Sequence, residues 1–228
     1  MRMIPWFLSL AALLAAPDAV ANFHFMQIEQ VIGGVGGDTA QQAIQLRMRS
    51  GGQSVISQSR MRAFDAAGQN AVLLIDIDGN VTAGSAGSRV LIATTAFAAA
   101  QGITPDFLLT TPIPPGYLAA GRLTFEHDGA SIYWSLAWGG NAYTGSNLGL
   151  TTNDADGNFG AATANALQST TTQALRFTGA ASALSTTNLA DYAITPQPAI
   201  FTNNAGASVT VSATVNQSIF TNGFEDPL

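Results

Sequence analysis

Alternation of apolar and polar residues is the clearest pattern in the chain, and it predicts β-strands. Residues 43–49 (Ala-Ile-Gln-Leu-Arg-Met-Arg) alternate without a break, as expected of a strand with one buried and one exposed face. Residues 72–77 form a largely apolar run, which is typical of a buried strand. Residues 123–127 and 131–138 flank an Asp-Gly pair, so we expect them to form a hairpin.

The same patterns predict the fold class. No helical period of ten or more residues occurs after residue 21, and turn residues are frequent. We therefore predict an all-β fold, a sandwich of two sheets with long loops. The longest loop is expected at residues 139–169, which are rich in Gly, Asn, Thr and Ala. Residues 209–215 alternate again in a Ser/Thr-rich context, which fits an edge strand or an extended stalk.

The first 21 residues have the three parts of a secretory signal peptide. Arg2 supplies a positive start, residues 4–16 supply an apolar run, and Ala19-Val20-Ala21 is a small-residue cleavage site. The apolar run is shorter than the roughly 20 residues that a membrane-spanning helix needs. We therefore expect export, cleavage after Ala21, and a secreted or cell-surface protein with no membrane span after cleavage.

Composition excludes several classes of function. The chain has no Cys, which rules out disulfides, thiol chemistry and a Cys-linked lipid anchor. All eight basic residues are Arg, so the chain has no Lys. A P-loop requires a Lys that reaches the phosphates and is therefore ruled out. The formal net charge is −6, and such an acidic surface disfavours binding to nucleic acid.

Candidate catalytic groups are few. The chain has two His residues, His24 and His127, and the second lies between Glu126 and Asp128. Neighbours along a strand point to opposite faces, so these acids are not expected to orient the ring, and no G-x-S-x-G elbow occurs. A glycosidase needs only a pair of carboxylates, and the sequence selects no such pair. We therefore assign no catalytic or cofactor-binding residue.

The segment at residues 154–158 (Asp-Ala-Asp-Gly-Asn) is a candidate metal-binding loop. Asp154, Asp156 and Asn158 place oxygens at alternate positions around Gly157, as calcium loops do. The string fails as an EF-hand because its twelfth position, which should be a bidentate Glu, is Thr163. We therefore predict no metal site, with calcium at these three residues as the alternative.

Three features together resemble the lamin-tail domain, an immunoglobulin-like sandwich attached to many bacterial exported proteins. They are an N-terminal strand at residues 26–31, a Gly/Asp loop, and the alternating strand at residues 43–49. Residues 87–93 also stand where that family has a glycine-led strand. The chain departs from the family at residues 45–47, where Gln-Leu-Arg replaces the usual Glu-Leu and a following Asn. The resemblance covers residues 23–194 and implies an immunoglobulin-like β-sandwich.

A second resemblance concerns the end of the chain. Residues 219–225 (Ile-Phe-Thr-Asn-Gly-Phe-Glu) are similar to the Ile-Phe-x-x-Gly-Phe-Glu tails at the extreme C-terminus of many exported proteobacterial proteins. This similarity implies a tag that export machinery recognises, and the alternative is a last edge strand.

These observations divide the chain into three parts. We predict a signal peptide at residues 1–21, a β-sandwich domain at 22–196, and a Ser/Thr-rich linker or edge strand with a C-terminal tag at 197–228. The predicted function is that of an exported, non-enzymatic binding module at the cell surface or outside the cell, whose partner is an unidentified protein or glycan. The alternative is a secreted hydrolase, perhaps acting on carbohydrate, that uses a carboxylate pair.

Overall fold

The computed structural model describes residues 23–151, 153–183 and 185–213. The predicted signal peptide at residues 1–21 and the tail at residues 219–225 therefore lie outside the described part of the chain. The described residues form an all-β fold in which the helices are few and short.

The strands and α-helices follow one another along the chain. In order they are β1 (Met26–Ile32), β2 (Ala43–Met48), β3 (Ser59–Phe64), β4 (Val72–Ile77), β5 (Arg89–Ala93), α1 (Thr95–Gln101), β6 (Phe107–Leu108), β7 (Gly121–His127), β8 (Ile132–Trp138), β9 (Leu175–Phe177), α2 (Asn188–Asp191), β10 (Tyr192–Ile194), β11 (Ile200–Thr202) and β12 (Ser208–Thr210). They form a six-stranded sheet in the order β10-β9-β1-β2-β5-β6, a four-stranded sheet in the order β4-β3-β7-β8, and the small hairpin β11-β12.

The two larger sheets pack against each other across a shared apolar core. The alternation at residues 43–49 sends every second side chain of β2 into this core. Trp134, from the four-stranded sheet, meets Phe177 of the six-stranded sheet with 5.6 Å between ring centroids. The indole Nε1 of Trp134 also donates a hydrogen bond to the Tyr192 hydroxyl at 2.7 Å, and Tyr192 donates to the main-chain oxygen of Ile28 at 2.5 Å. The sheets are therefore joined by a polar bridge as well as by apolar contact.

The prediction of a half-buried strand at residues 43–49 is wrong, because both faces of β2 are buried. The outer face of the six-stranded sheet, which points away from the other sheet, is covered in part by α1 and the β11-β12 hairpin. Phe97 of α1 and Phe201 of β11 pack there with 5.4 Å between ring centroids. The segment from residue 197 onward, which was predicted to be a linker or edge strand, thus contributes the β11-β12 hairpin to this cover.

Two further expectations differ in detail from the structure. The run at residues 72–77 was expected to be a buried strand, but β4 is the edge of its sheet, and Leu73 is 47% exposed. The hairpin of β7 and β8 forms as predicted. Its left-handed residue, however, is Ala130 (φ 70°) and not the glycine of the Asp-Gly pair.

The long loop at residues 139–169 and Asn188 of α2 together protect the free edge of β8. Thr163 donates its main-chain N–H to the Ala137 oxygen at 3.0 Å. The side chain of Asn188 accepts from the Ala137 N–H at 2.7 Å and donates to the Ser135 oxygen at 3.1 Å. An unpaired strand edge is a template for pairing with another chain. These contacts therefore have a structural role, which is to block such pairing at β8.

Nowhere in residues 23–151, 153–183 and 185–213 does a helix have the length and apolar character needed to cross a bilayer.

Candidate functional site

A bulge in β1 places a buried carboxylate on the outer face of the six-stranded sheet. The pairing register between β1 and β2 shifts between Ile28 and Gln30, so Glu29 has no residue directly opposite it. Such a bulge redirects side chains. It puts both Glu29 and Gln30 on the outer face, where Gln30 Nε2 donates to the Ile200 oxygen at 2.6 Å. Glu29 itself is 0% exposed.

Donors from three other strands surround this carboxylate. Arg89 of β5 donates two hydrogen bonds, from Nε to Oε2 at 2.7 Å and from Nη2 to Oε1 at 3.0 Å. From β2, Gln45 Nε2 donates to Oε2 at 2.7 Å and Arg47 Nη1 donates to Oε1 at 3.2 Å. The guanidinium of Arg176, on β9, lies 3.8 Å from Oε1 of Glu29. We call Glu29, Arg47, Arg89 and Arg176 the Glu29 cluster.

The Glu29 cluster has more positive than negative charge. Burial alone would raise the pKa of Glu29, but the hydrogen bonds from Arg89 and the charge of Arg47 outweigh it, so this pKa is lowered. The carboxylate is therefore ionised at neutral pH. Arginine side chains stay protonated at that pH, so three guanidinium groups face one carboxylate. The cluster carries a formal excess of two positive charges.

A cleft of about 340 Å³ opens beside the cluster at the β9–β10 edge of the sheet. Arg47 and Arg176 provide its charged side. The Arg176 side chain is 48% exposed, and within the described residues its guanidinium donates no hydrogen bond. The volume is at the lower end of the range found for small-molecule sites. The rest of the lining is neutral: Phe177, Thr178, Gly179, Ala193, Ile194, Thr195 and Pro196.

Two other clefts have a different character. The largest, about 530 Å³, is formed mainly by residues 140–164 and is lined by no charged side chain. A third, about 210 Å³, contains one carboxylate, that of Asp106. None of the three clefts brings two carboxylates together. Although the cleft beside the Glu29 cluster is not the largest of the three, it is the one of the three that is lined by cationic side chains, Arg47 and Arg176, and we take it as the candidate site.

A second buried glutamate has a related set of partners on the other sheet. Glu126 of β7 is 0% exposed and lies on the outer face of the four-stranded sheet. Arg62 donates to it from Nε at 2.9 Å and from Nη2 at 3.0 Å, and Arg60 Nε donates at 3.1 Å. Thr124 Oγ1 donates at 2.6 Å. None of the side chains in this Glu126 cluster lines one of the three clefts.

The structure separates the histidine that the sequence singled out from its acidic neighbour. Glu126 turns to the arginines of β3, whereas the His127 ring stacks on Phe23 with 5.8 Å between centroids. His127 Nδ1 accepts a hydrogen bond from the Gly129 N–H at 2.9 Å. The side chains of Glu126 and His127 therefore lie on opposite faces of β7, as expected for neighbouring residues of a strand.

The three residues of the calcium hypothesis take part in hydrogen bonds within the protein. Asp154 Oδ2 accepts from the Thr186 N–H at 2.8 Å and Oδ1 accepts from Ser185 Oγ at 3.1 Å. Burial raises the pKa of Asp154. Asp156 Oδ1 accepts from the Asn158 N–H at 2.9 Å. In the described part of the chain no group of three or more His, Cys, Asp or Glu is arranged to hold a metal, and calcium binding at these residues stays the alternative to the predicted absence of a metal site.

The sequence named none of the residues of the Glu29 cluster as a site. One signal was present, because the alternation at residues 43–49 places Arg47 on the polar face of its strand. The residues that surround Glu29 come from strands distant in the chain. No residue pattern in the sequence predicts the bulge at Glu29. No family model matches the chain, and no curated protein matches it significantly. Its function must therefore be inferred from its own geometry.

Proposed function

We propose that this protein is an exported, non-enzymatic binding module that acts at the cell surface or outside the cell, and that its ligand occupies the cleft beside the Glu29 cluster. The observation that carries the proposal is the position of Arg176. Its exposed guanidinium, 3.8 Å from Glu29, contributes little to stability, because exposed ion pairs are worth about 0–1 kcal/mol. It nevertheless lines a cleft of the size used for small ligands.

The distribution of carboxylates favours a binding module over a secreted hydrolase. A glycosidase of the usual kind needs two carboxyl groups about 5–10 Å apart on either side of the bond that breaks. The buried carboxylates of Glu29 and Glu126 are each held by arginines. The candidate cleft is lined by no carboxylate. The hydrolase alternative therefore has no group in this cleft to act as acid or base.

The arrangement of three strands supports an immunoglobulin-like β-sandwich similar to the lamin-tail domain. The strand at residues 26–32, the Gly/Asp loop and the strand at residues 43–48 occur in the order that the resemblance implies. The third strand of the resemblance, at residues 89–93, pairs with β2. We propose that this sandwich corresponds to residues 22–196.

The proposed export depends on both ends of the chain. We propose that the signal peptide is cleaved after Ala21 and that the tail at residues 219–225 engages export machinery. Intact-mass measurement on protein recovered from cells and from culture medium tests both. The expected N-terminus is Asn22, and a protein that still begins at Met1 outside the cell would contradict the proposal.

A fragment screen tests the cleft as the binding site. Titration of small neutral and charged fragments, followed by amide NMR, should produce shifts that cluster around residues 176–179 and 193–195. The variant Ala193→Trp, which places an indole in the cleft, should abolish those shifts. Ala99→Trp, at an exposed alanine of α1, is the matched control and should leave them unchanged. Shifts that map elsewhere, or that survive in Ala193→Trp, would overturn the assignment of the site.

A further inference from the structure

We propose that the cleft beside the Glu29 cluster takes its ligand through a carboxylate group, with Arg176 as the principal contact and the apolar wall holding a small apolar body. This inference rests on the proposed binding function and adds the chemical class of the ligand.

The guanidinium of Arg176 has donors that no described residue uses. A guanidinium has five N–H donors in a planar fork, which matches the two oxygens of a carboxylate. Arg176 uses none of them in a hydrogen bond to the described residues, and nearly half of its side chain is exposed. The group is therefore able to donate two parallel hydrogen bonds to an incoming carboxylate.

The second step is that Glu29 does not need Arg176. Both oxygens of Glu29 are already occupied by the two hydrogen bonds from Arg89 and by one each from Gln45 and Arg47. Arg47 is further fixed by Gln27 Oε1, which accepts from its Nε at 3.1 Å and its Nη2 at 2.9 Å. A ligand anion would therefore pair with Arg176 without breaking the buried network.

The third step is the sign of the charge at the cleft. The whole chain has a formal net charge of −6, and yet the Glu29 cluster has a local excess of positive charge. A local field of this sign attracts anions and repels cations. The cleft therefore selects a negatively charged group from among small ligands.

The fourth step is the neutral part of the lining, which favours an apolar body over a polyhydroxylated one. Ile194 and Pro196 contribute apolar surface. The Thr178 hydroxyl donates to the Asp191 oxygen at 3.0 Å, and the Thr195 hydroxyl donates to the Gln197 oxygen at 2.8 Å. Because these hydroxyl protons are engaged, the neutral side of the cleft offers few donors to sugar hydroxyls, and the free donors are those of Arg176. A compact monocarboxylate with an apolar body fits these groups.

The experiment compares sodium benzoate with benzamide, its neutral counterpart, at constant ionic strength. The purified chain is labelled with ¹⁵N, and the Nε–H resonances of its arginines are followed by NMR. Benzoate should shift the Arg176 resonance saturably, and benzamide should bind at least about tenfold more weakly, because it offers the guanidinium one neutral acceptor in place of an ionised group with two. The Arg60 resonance, from the Glu126 cluster, should not move.

Two variants give the matched controls. Arg176→Gln should weaken benzoate binding by about tenfold or more, while Arg60→Gln should leave it unchanged. Equal affinities for benzoate and benzamide, or unchanged binding in Arg176→Gln, would overturn the carboxylate assignment. Inorganic phosphate that binds as tightly as benzoate would overturn the restriction to carboxylates.

The outcomes also separate this inference from the proposed function. If neutral fragments bind in the cleft and benzoate shows no preference, the carboxylate assignment fails and the binding site stands. If no probe of either charge binds in the cleft, the proposed site itself fails.

Discussion

The Glu29 and Glu126 clusters are built on one plan, on the outer faces of opposite sheets. Each has a fully buried glutamate, one arginine that donates two hydrogen bonds, and a second arginine that donates one. The doubly bonded arginines are Arg89 and Arg62. The difference between the clusters lies in the strands from which the arginines come.

At Glu126, Arg60 and Arg62 both come from β3, the neighbouring strand, and Arg60 is directly opposite the glutamate. At Glu29, the arginines come from β2, β5 and β9, which span most of the six-stranded sheet. The Glu126 cluster is therefore complete within one pair of neighbouring strands, β3 and β7. The cluster assembled from several strands extends as far as β9, the strand next to the edge strand β10, where Arg176 lines the cleft. The assembled cluster therefore lines a cleft, whereas no side chain of the local one lines any of the three clefts.

The largest expected effect comes from deleting each glutamate in turn. Glu29→Ala should lower the free energy of unfolding by about 3–5 kcal/mol, because it leaves Arg47, whose side chain is 11% exposed, buried without its carboxylate. Glu126→Ala should cost about 1–3 kcal/mol, because Arg60 and Arg62 are 22% and 25% exposed and can be hydrated. Urea unfolding of both variants measures the two losses. Equal losses would remove the distinction between the clusters.

A smaller effect is expected from pH. The arginines hold the pKa of Glu29 below its ordinary value of 4.5 in the folded chain. Ionised Glu29 therefore stabilises the fold above about pH 4.5, and this contribution is lost as the pH falls through the folded-state pKa. The difference in unfolding free energy between wild type and Glu29→Gln should shrink as the pH is lowered from 6 toward 3.

Two further acids, the half-buried Asp106 and the fully buried Asp154, also contribute to the pH dependence of stability. Burial raises the pKa of each, so they favour the fold on acidification, and they act alike in both proteins. They therefore cancel in the comparison of wild type with Glu29→Gln. A difference that is constant or grows with acidification would contradict the assigned role of Glu29.

The smallest expected effect concerns the arginines themselves. Arg176→Gln should change the free energy of unfolding by no more than about 0.5 kcal/mol, because its ion pair is exposed and long. Arg62→Gln should cost about 1–3 kcal/mol, because it removes the two charged hydrogen bonds that Arg62 donates to the buried carboxylate of Glu126. Thermal and urea unfolding give both values. A loss in Arg176→Gln as large as that in Arg62→Gln would show that Arg176 is structural.

The sequence by itself determined the fold class and several strands. Alternation at residues 43–49 identified β2, and the turn residues after β7 identified its hairpin with β8. The degree of burial was not predictable, because it depends on what packs on a strand. The polar face of β2 is covered by other parts of the chain, and the apolar run of β4 lies at the edge of its sheet.

Only the tertiary structure decided the candidate site. A period-two pattern shows on which face of its strand Arg47 lies, but it does not show which strands stand beside it. The partners Glu29, Arg89 and Arg176 are brought together by pairings between distant segments, and the bulge in β1 sets the direction of Glu29. Local patterns follow from backbone geometry, whereas the site depends on long-range pairing, and that is settled only when the whole chain is packed.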